Sequence, residues 1–142
     1  MRADPWATHV LLLMIALGLA GCASGASTAA APAPVAVTGV SSLAGKWAGL
    51  LEMEGGRDRD DYLEITVDPN GAYRAASPRQ IGLLDVRGTV TVTDGKILFK
   101  GERGGQATGA MFTQPPPDQR LLVVNGASAD GRKFTARLRP QR

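Results

Sequence analysis

The stretch Val86 to Lys100, VRGTVTVTDGKILFK, leaves this chain little choice of local structure. Val86, Val90 and Val92 alternate with Arg87, Thr89, Thr91 and Thr93, the period of two that marks a half-buried strand. Asp94-Gly95 then supplies two residues that tolerate positive φ, as a type I′ hairpin turn requires. The turn fixes the register: Thr93 opposite Lys96, Val92 opposite Ile97 and Val90 opposite Phe99. A slip of one residue would turn every apolar side chain to the wrong face.

The same grammar recurs along the chain. Leu63, Ile65 and Val67 alternate with Glu64, Thr66 and Asp68, and Asp68-Pro69-Asn70-Gly71 follows. Proline suits the first central position of a type I turn and glycine the left-handed position after it, which puts Val67 opposite Tyr73 and Ile65 opposite Ala75. A third hairpin runs from Arg120 to Arg139 around Asp130-Gly131. Its second strand turns Phe134, Ala136 and Leu138 inward and Lys133, Thr135, Arg137 and Arg139 outward. Lys46 to Glu54 reads as a strand, Gln80 to Asp85 as one whose phase breaks before Val86, and Gln106 to Thr113 as a weaker one with Met111 inward. The proline run in Gln114 to Asp118 predicts a loop. No helical period appears after Ser42. Short strands joined by tight turns predict an all-β fold: a small antiparallel up-and-down β-barrel of seven or eight strands over residues 43–142.

The amino-terminal region obeys different rules. Val10 to Ala20, VLLLMIALGLA, is continuously apolar. As a helix it would span about 17 Å at ~1.5 Å per residue, against a bilayer core of about 30 Å. That is short for a membrane span and right for the apolar part of a secretory signal. It closes on Leu19-Ala20-Gly21-Cys22, which resembles the lipobox of bacterial lipoprotein signal peptides. The resemblance implies cleavage between Gly21 and Cys22, a diacylglyceryl group on the Cys22 sulfur and an acyl chain, such as palmitate, on its new amino terminus. Such a protein is anchored to a membrane without crossing it. Ala23 in place of Asp favours the outer membrane, periplasmic face, under the enterobacterial sorting pattern. Residues 22–42, from Cys22 through an uncharged Ala/Ser/Pro-rich segment, then read as a flexible tether.

Removal of residues 1–21 takes away His9, the only histidine, and lipidation consumes Cys22, the only cysteine. The remaining chain cannot build Ser-His-Asp or Cys-His catalysis, a His- or Cys-ligated zinc site, or an internal disulfide. General acid–base work by carboxylates, lysine or tyrosine stays chemically open. The net charge of +3 is modest and lacks the concentrated basic, aromatic-laced stripe of a nucleic-acid binder. Asp58, Asp60 and Asp61 gather hard oxygen donors in one loop, but Arg57 and Arg59 interleave with them and calcium-loop spacing is missing. A self-paired surface loop is expected there, with no metal and no cofactor.

Gly45-Lys46-Trp47 resembles the Gly-x-Trp that opens the first strand of lipocalins and related barrels. That resemblance implies that Trp47 plugs the closed end of the barrel against an arginine of the last strand, Arg137 or Arg139. The chain lacks the family's Thr-Asp-Tyr element and C-terminal helix. An early-strand tryptophan is also similar to the small periplasmic metalloprotease-inhibitor barrels, which carry a disulfide this chain cannot form. The inward set, which includes Trp47, Leu51, Val90, Phe99 and Val123, either lines a cavity or fills the interior. Short strands favour a solid core.

These readings converge on a non-enzymatic, lipid-anchored envelope protein that binds a small apolar ligand or an envelope component. Trp47, Phe99, Arg137 and Arg139 are its candidate plug or ligand contacts. A protein-interaction module of the protease-inhibitor type is the alternative. The basic run Arg132 to Arg142 serves either reading, as a charged outer face or as a surface for anionic lipid.

Overall fold

The computed structural model describes residues 31–55, 61–77, 85–114 and 119–142. Eight antiparallel strands, each hydrogen-bonded to its neighbours in sequence, form the wall. They are β2 (Gly45–Met53), β3 (Asp61–Val67), β4 (Ala72–Ala76), β5 (Asp85–Thr93), β6 (Lys96–Gly101), β7 (Gln106–Gln114), β8 (Gln119–Ala127) and β9 (Lys133–Pro140). Pairing of β2 with β9, from Trp47 opposite Pro140 to Met53 opposite Phe134, closes the barrel. Closure removes the free edges that an open sheet would expose.

Turn chemistry set the register as expected. Asp94 and Gly95 take φ values of 51° and 74°, and Thr93, Val92 and Val90 face Lys96, Ile97 and Phe99. Val67 faces Tyr73 and Ile65 faces Ala75 across a turn in which Gly71 has a φ of 91°. The Gly71 carbonyl accepts a 2.7 Å hydrogen bond from the Val90 amide, tying the β3–β4 turn to β5. Met111 is buried on β7, and Phe134, Ala136 and Leu138 face inward on β9. Of the strand expected over Gln80 to Asp85, only Asp85 falls among the described residues, where it opens β5.

Two expectations need correction. On β8 the inward residues are Leu122 and Val124, both buried, rather than Val123. The run Leu121-Leu122-Val123-Val124 is apolar on both phases, so alternation carries no signal there. The folded unit also begins earlier than Leu43. A short strand β1 (Ala33–Val35) pairs with Met111–Thr113 of β7. It takes up the edge of β7 beyond Gly109, where pairing with β6 ends. The chain then drops Val37 (3% exposed) into the core, makes a 3-10 turn at Val40–Ser42 and buries Leu43 completely. An open strand edge, with Val37 and Leu43 to bury in the core, draws in a segment whose composition reads as spacer.

The described wall closes within residues 33–140, and the piece 31–142 contains all of it. Starting the chain at Leu43 instead is expected to cost about 2 kcal/mol, the burial of Val37 alone supplying roughly that much. Paired urea titrations of the 31–142 and 43–142 pieces measure it, and equal midpoints would contradict the packing role of residues 33–42.

Candidate functional site

The two ends of the barrel are filled differently, and the inward side chains explain why. At the end where β2 begins, the interior holds Leu43, Trp47, Val67, Val90, Ile97, Leu122 and Leu138, all essentially without exposure. Trp47 is 2% exposed and its indole N–H donates a 2.8 Å hydrogen bond to the buried Leu43 carbonyl. This satisfies the one polar atom that a buried tryptophan brings with it.

Arg120 lies over the Trp47 ring, its guanidinium carbon 5.8 Å from the ring centroid, within cation–π range. It also donates a 3.4 Å hydrogen bond to the Ser42 carbonyl, clamping the 3-10 turn onto the plug. The arginine over the tryptophan therefore comes from β8, not β9. Arg137 points outward and pairs with Glu52 at 2.8 Å, and Arg139 reaches Gln114 from the outer face. Arg120 shares the inward phase of Leu122 and Val124 but sits at the strand's end, so its side chain covers the plugged end of the barrel instead of entering the core. The apolar run that hid the phase of β8 hid Arg120 with it.

Toward the other end the inward positions shrink. Ala75, Gly101 and Ala107 occupy places where large residues would fill the barrel, and a cavity of about 630 Å³ remains. Leu51, Met53, Leu63, Ile65, Phe99 and Phe134 give it an apolar wall. The expected solid core is thus present only in the Trp47 half. Tyr73 and Phe99 meet edge to face across the cavity wall, ring centroids 5.4 Å apart at 84°. Gly88 makes that contact feasible: a Cβ there would lie 2.7 Å from the Tyr73 ring and 2.1 Å from the Lys100 carbonyl oxygen.

The cavity opens between the β6–β7 connection (102–105) and the β8–β9 turn (128–132). Among the described residues, Asp85, Arg87, Glu102, Arg103, Gln106, Asp130 and Arg132 stand around this rim. Asp85 is engaged by Arg74 at 3.1 Å, and Asp130 by Arg132 at 2.6 Å and by the Ser128 hydroxyl. Burial, and after it the Glu102 carboxylate, push the Tyr73 phenol above its ordinary pKa. The phenol therefore stays protonated and able to donate at neutral pH.

Hydrogen bonds from Ser128 and then Arg132 lower the Asp130 carboxyl from 3.8 to about 2. A depressed folded-state pKa adds stability that is present above the unfolded value and is lost as pH falls through the folded one. The Asp130 turn is accordingly expected to loosen between about pH 4 and pH 2. Acid melting curves of the Asp130→Asn variant should lack that component. Curves that stay parallel to those of the unaltered protein would contradict it. The group is fully exposed, so the effect is small.

Gly21, Cys22 and the acidic loop residues 56–60 lie outside the described residues. Among the described residues no group of three acidic, histidine or cysteine side chains converges on a metal position. No protein-family model, curated protein or solved structure matches the chain.

Proposed function

We propose that this chain is a lipid-anchored, non-enzymatic protein of the cell envelope whose barrel seats one small apolar ligand. The observation that carries the reading is the apolar cavity of about 630 Å³ above a fully packed plug. Its size falls within the ~300–1,000 Å³ of small-molecule sites, and its wall of aliphatic and aromatic side chains under a polar rim is their usual make-up. Among the described residues the exposed large apolar side chains are Val35, Leu50 and Leu98, on three different strands.

The lipobox at Leu19 to Cys22 supports the anchor. Ala33 pairs with Thr113 at the plugged end of the barrel, so the chain leading to Cys22 departs from that end. Residues 23–32 would reach at most about 36 Å when extended, from a limit of ~3.3–3.6 Å per residue. Intact mass of the mature protein tests the anchor: a chain beginning at Cys22 with acyl additions is expected, and an unmodified Cys22 would refute it. Titration of the 31–142 piece with an environment-sensitive apolar fluorophore tests the seat. One saturable site is expected, and the absence of saturable binding would overturn it.

A further inference from the structure

The outward residues of β8 are as apolar as its inward ones, and they belong to a wider face. From Val123 the pairing runs one way to Ala110 on β7, and the other way to Arg137 on β9, Leu50 on β2 and Tyr62 on β3. In the row beside it Pro34 of β1 lies opposite Phe112, Phe112 lies opposite Leu121, and Arg139 follows on β9. Leu50 is 48% exposed, Phe112, Leu121 and Val123 are half-buried, and none of the four belongs to the core or packs against it. We propose that this face docks on a membrane surface carrying anionic lipid, its apolar side chains in the headgroup boundary and its arginines on lipid phosphates. It adds a second membrane contact to the anchor reading above, and rests on that reading only for which membrane is met.

The water-facing side of an antiparallel sheet alternates to polar residues. The opposite wall does so, with Arg87, Thr89, Thr91 and Thr93 outward on β5. Strands β1, β2, β7, β8 and β9 together carry Lys46, Arg120, Lys133, Arg137 and Arg139 against one acid, Glu52, which Arg137 engages at 2.8 Å. Strands β3 to β6 hold four cations and three acids. The bordering connections leave the surplus of cations in place. Asp130 is paired with Arg132, residues 56–60 contain two arginines and two aspartates, and Glu54 and Asp118 stand against Arg142.

An anionic headgroup layer suits this mixture. Cations near such a surface are attracted to it, and arginine stems lie along apolar surface while the charge stays among the headgroups. A second copy of the chain suits it poorly. A two-fold contact would set Arg137 and Arg139 against their own kind, with only Glu52 to offset them. The chain also leads to this face, since Pro34 is part of it and residues 23–32 join it to Cys22. Lipid anchoring is firm only with a second signal, and a basic face beside the anchor supplies one.

The test mixes the mature chain from Ala23 to Arg142, made without lipid, with vesicles of phosphatidylcholine alone or with phosphatidylglycerol added, and sediments them. Binding to the phosphatidylglycerol vesicles is expected, weakening as salt rises. Arg137→Gln with Arg139→Gln should weaken it about thirtyfold, ~1 kcal/mol for each charge. Leu50→Thr with Val123→Thr, which keeps the strand preference, should weaken it about fivefold. Lys96→Gln with Lys100→Gln removes the same charge from the opposite wall and should change binding far less. These are outer-face positions, so each variant should keep the urea midpoint of the unaltered chain. No binding to the phosphatidylglycerol vesicles, or an equal loss in the arginine and lysine variants, would overturn the inference. So would a dimer in sedimentation velocity that Leu50→Thr with Val123→Thr dissolves, which would give the face to a second copy. The tested chain has no acyl group, so an unmodified Cys22 in the mature protein would refute the anchor and leave this result standing.

Discussion

Trp47→Ala is expected to cost about 3–5 kcal/mol, the range for deleting a large buried aromatic side chain. Small domains have only about 5–15 kcal/mol in total, so the variant should be largely unfolded or close to it at room temperature. Three losses coincide. The indole is the largest of the fully buried side chains at the plugged end. Its N–H is the partner of the buried Leu43 carbonyl, and stranding such an acceptor costs about 1–3 kcal/mol. Arg120 loses the ring it covers, and with it the clamp on the turn at Val40–Ser42. Trp47→Phe separates these contributions, because it retains most of the packing and removes the hydrogen bond. Urea unfolding followed by circular dichroism is the appropriate measurement, since Trp47 is the only tryptophan of the 31–142 piece. A midpoint for Trp47→Ala within error of the unaltered protein would show that the closed end does not hold the barrel together.

The second large effect is on binding. Ala75→Phe places a ring in the middle of the cavity, from a buried wall position on β4. The apolar fluorophore is expected to bind at least about tenfold more weakly, roughly 1.4 kcal/mol. Stability should hold or rise, because the new ring enters existing space instead of displacing packed neighbours. That combination is diagnostic, since a variant that merely damaged the fold would lose binding and stability together. Unchanged fluorophore affinity in a folded Ala75→Phe protein would place the binding site outside the barrel.

Much of this architecture can be read from residue order, and the exceptions have physical causes. Asp94-Gly95 and Asp68-Pro69-Asn70-Gly71 each prescribe one turn geometry, so two hairpins and their pairing follow from local chemistry. The apolar phase of β9 is equally plain, because its alternate residues are charged or hydroxylated. On β8 four apolar residues in succession erase the phase, and that single ambiguity concealed both the true inward pair and the role of Arg120. Hollowness was hard to see for another reason. It depends on which inward positions carry small residues at the same end of the barrel, and Ala75, Gly101 and Ala107 lie on three different strands. Each looks innocuous alone. The strand at Ala33–Val35 is illegible locally too, since only the uncovered edge of β7 gives it a partner.

The proposed anchor and the proposed ligand seat are independent readings, and the cavity is the one on which the structure bears. The measurement that bears on it most directly is native mass spectrometry of the mature protein released gently from envelope membranes. The expected result is a single small-molecule adduct per chain, shed on collisional activation and missing from the Ala75→Phe protein. A bare chain under the same gentle conditions, in the unaltered protein and the variant alike, would contradict the seat for a resident apolar ligand.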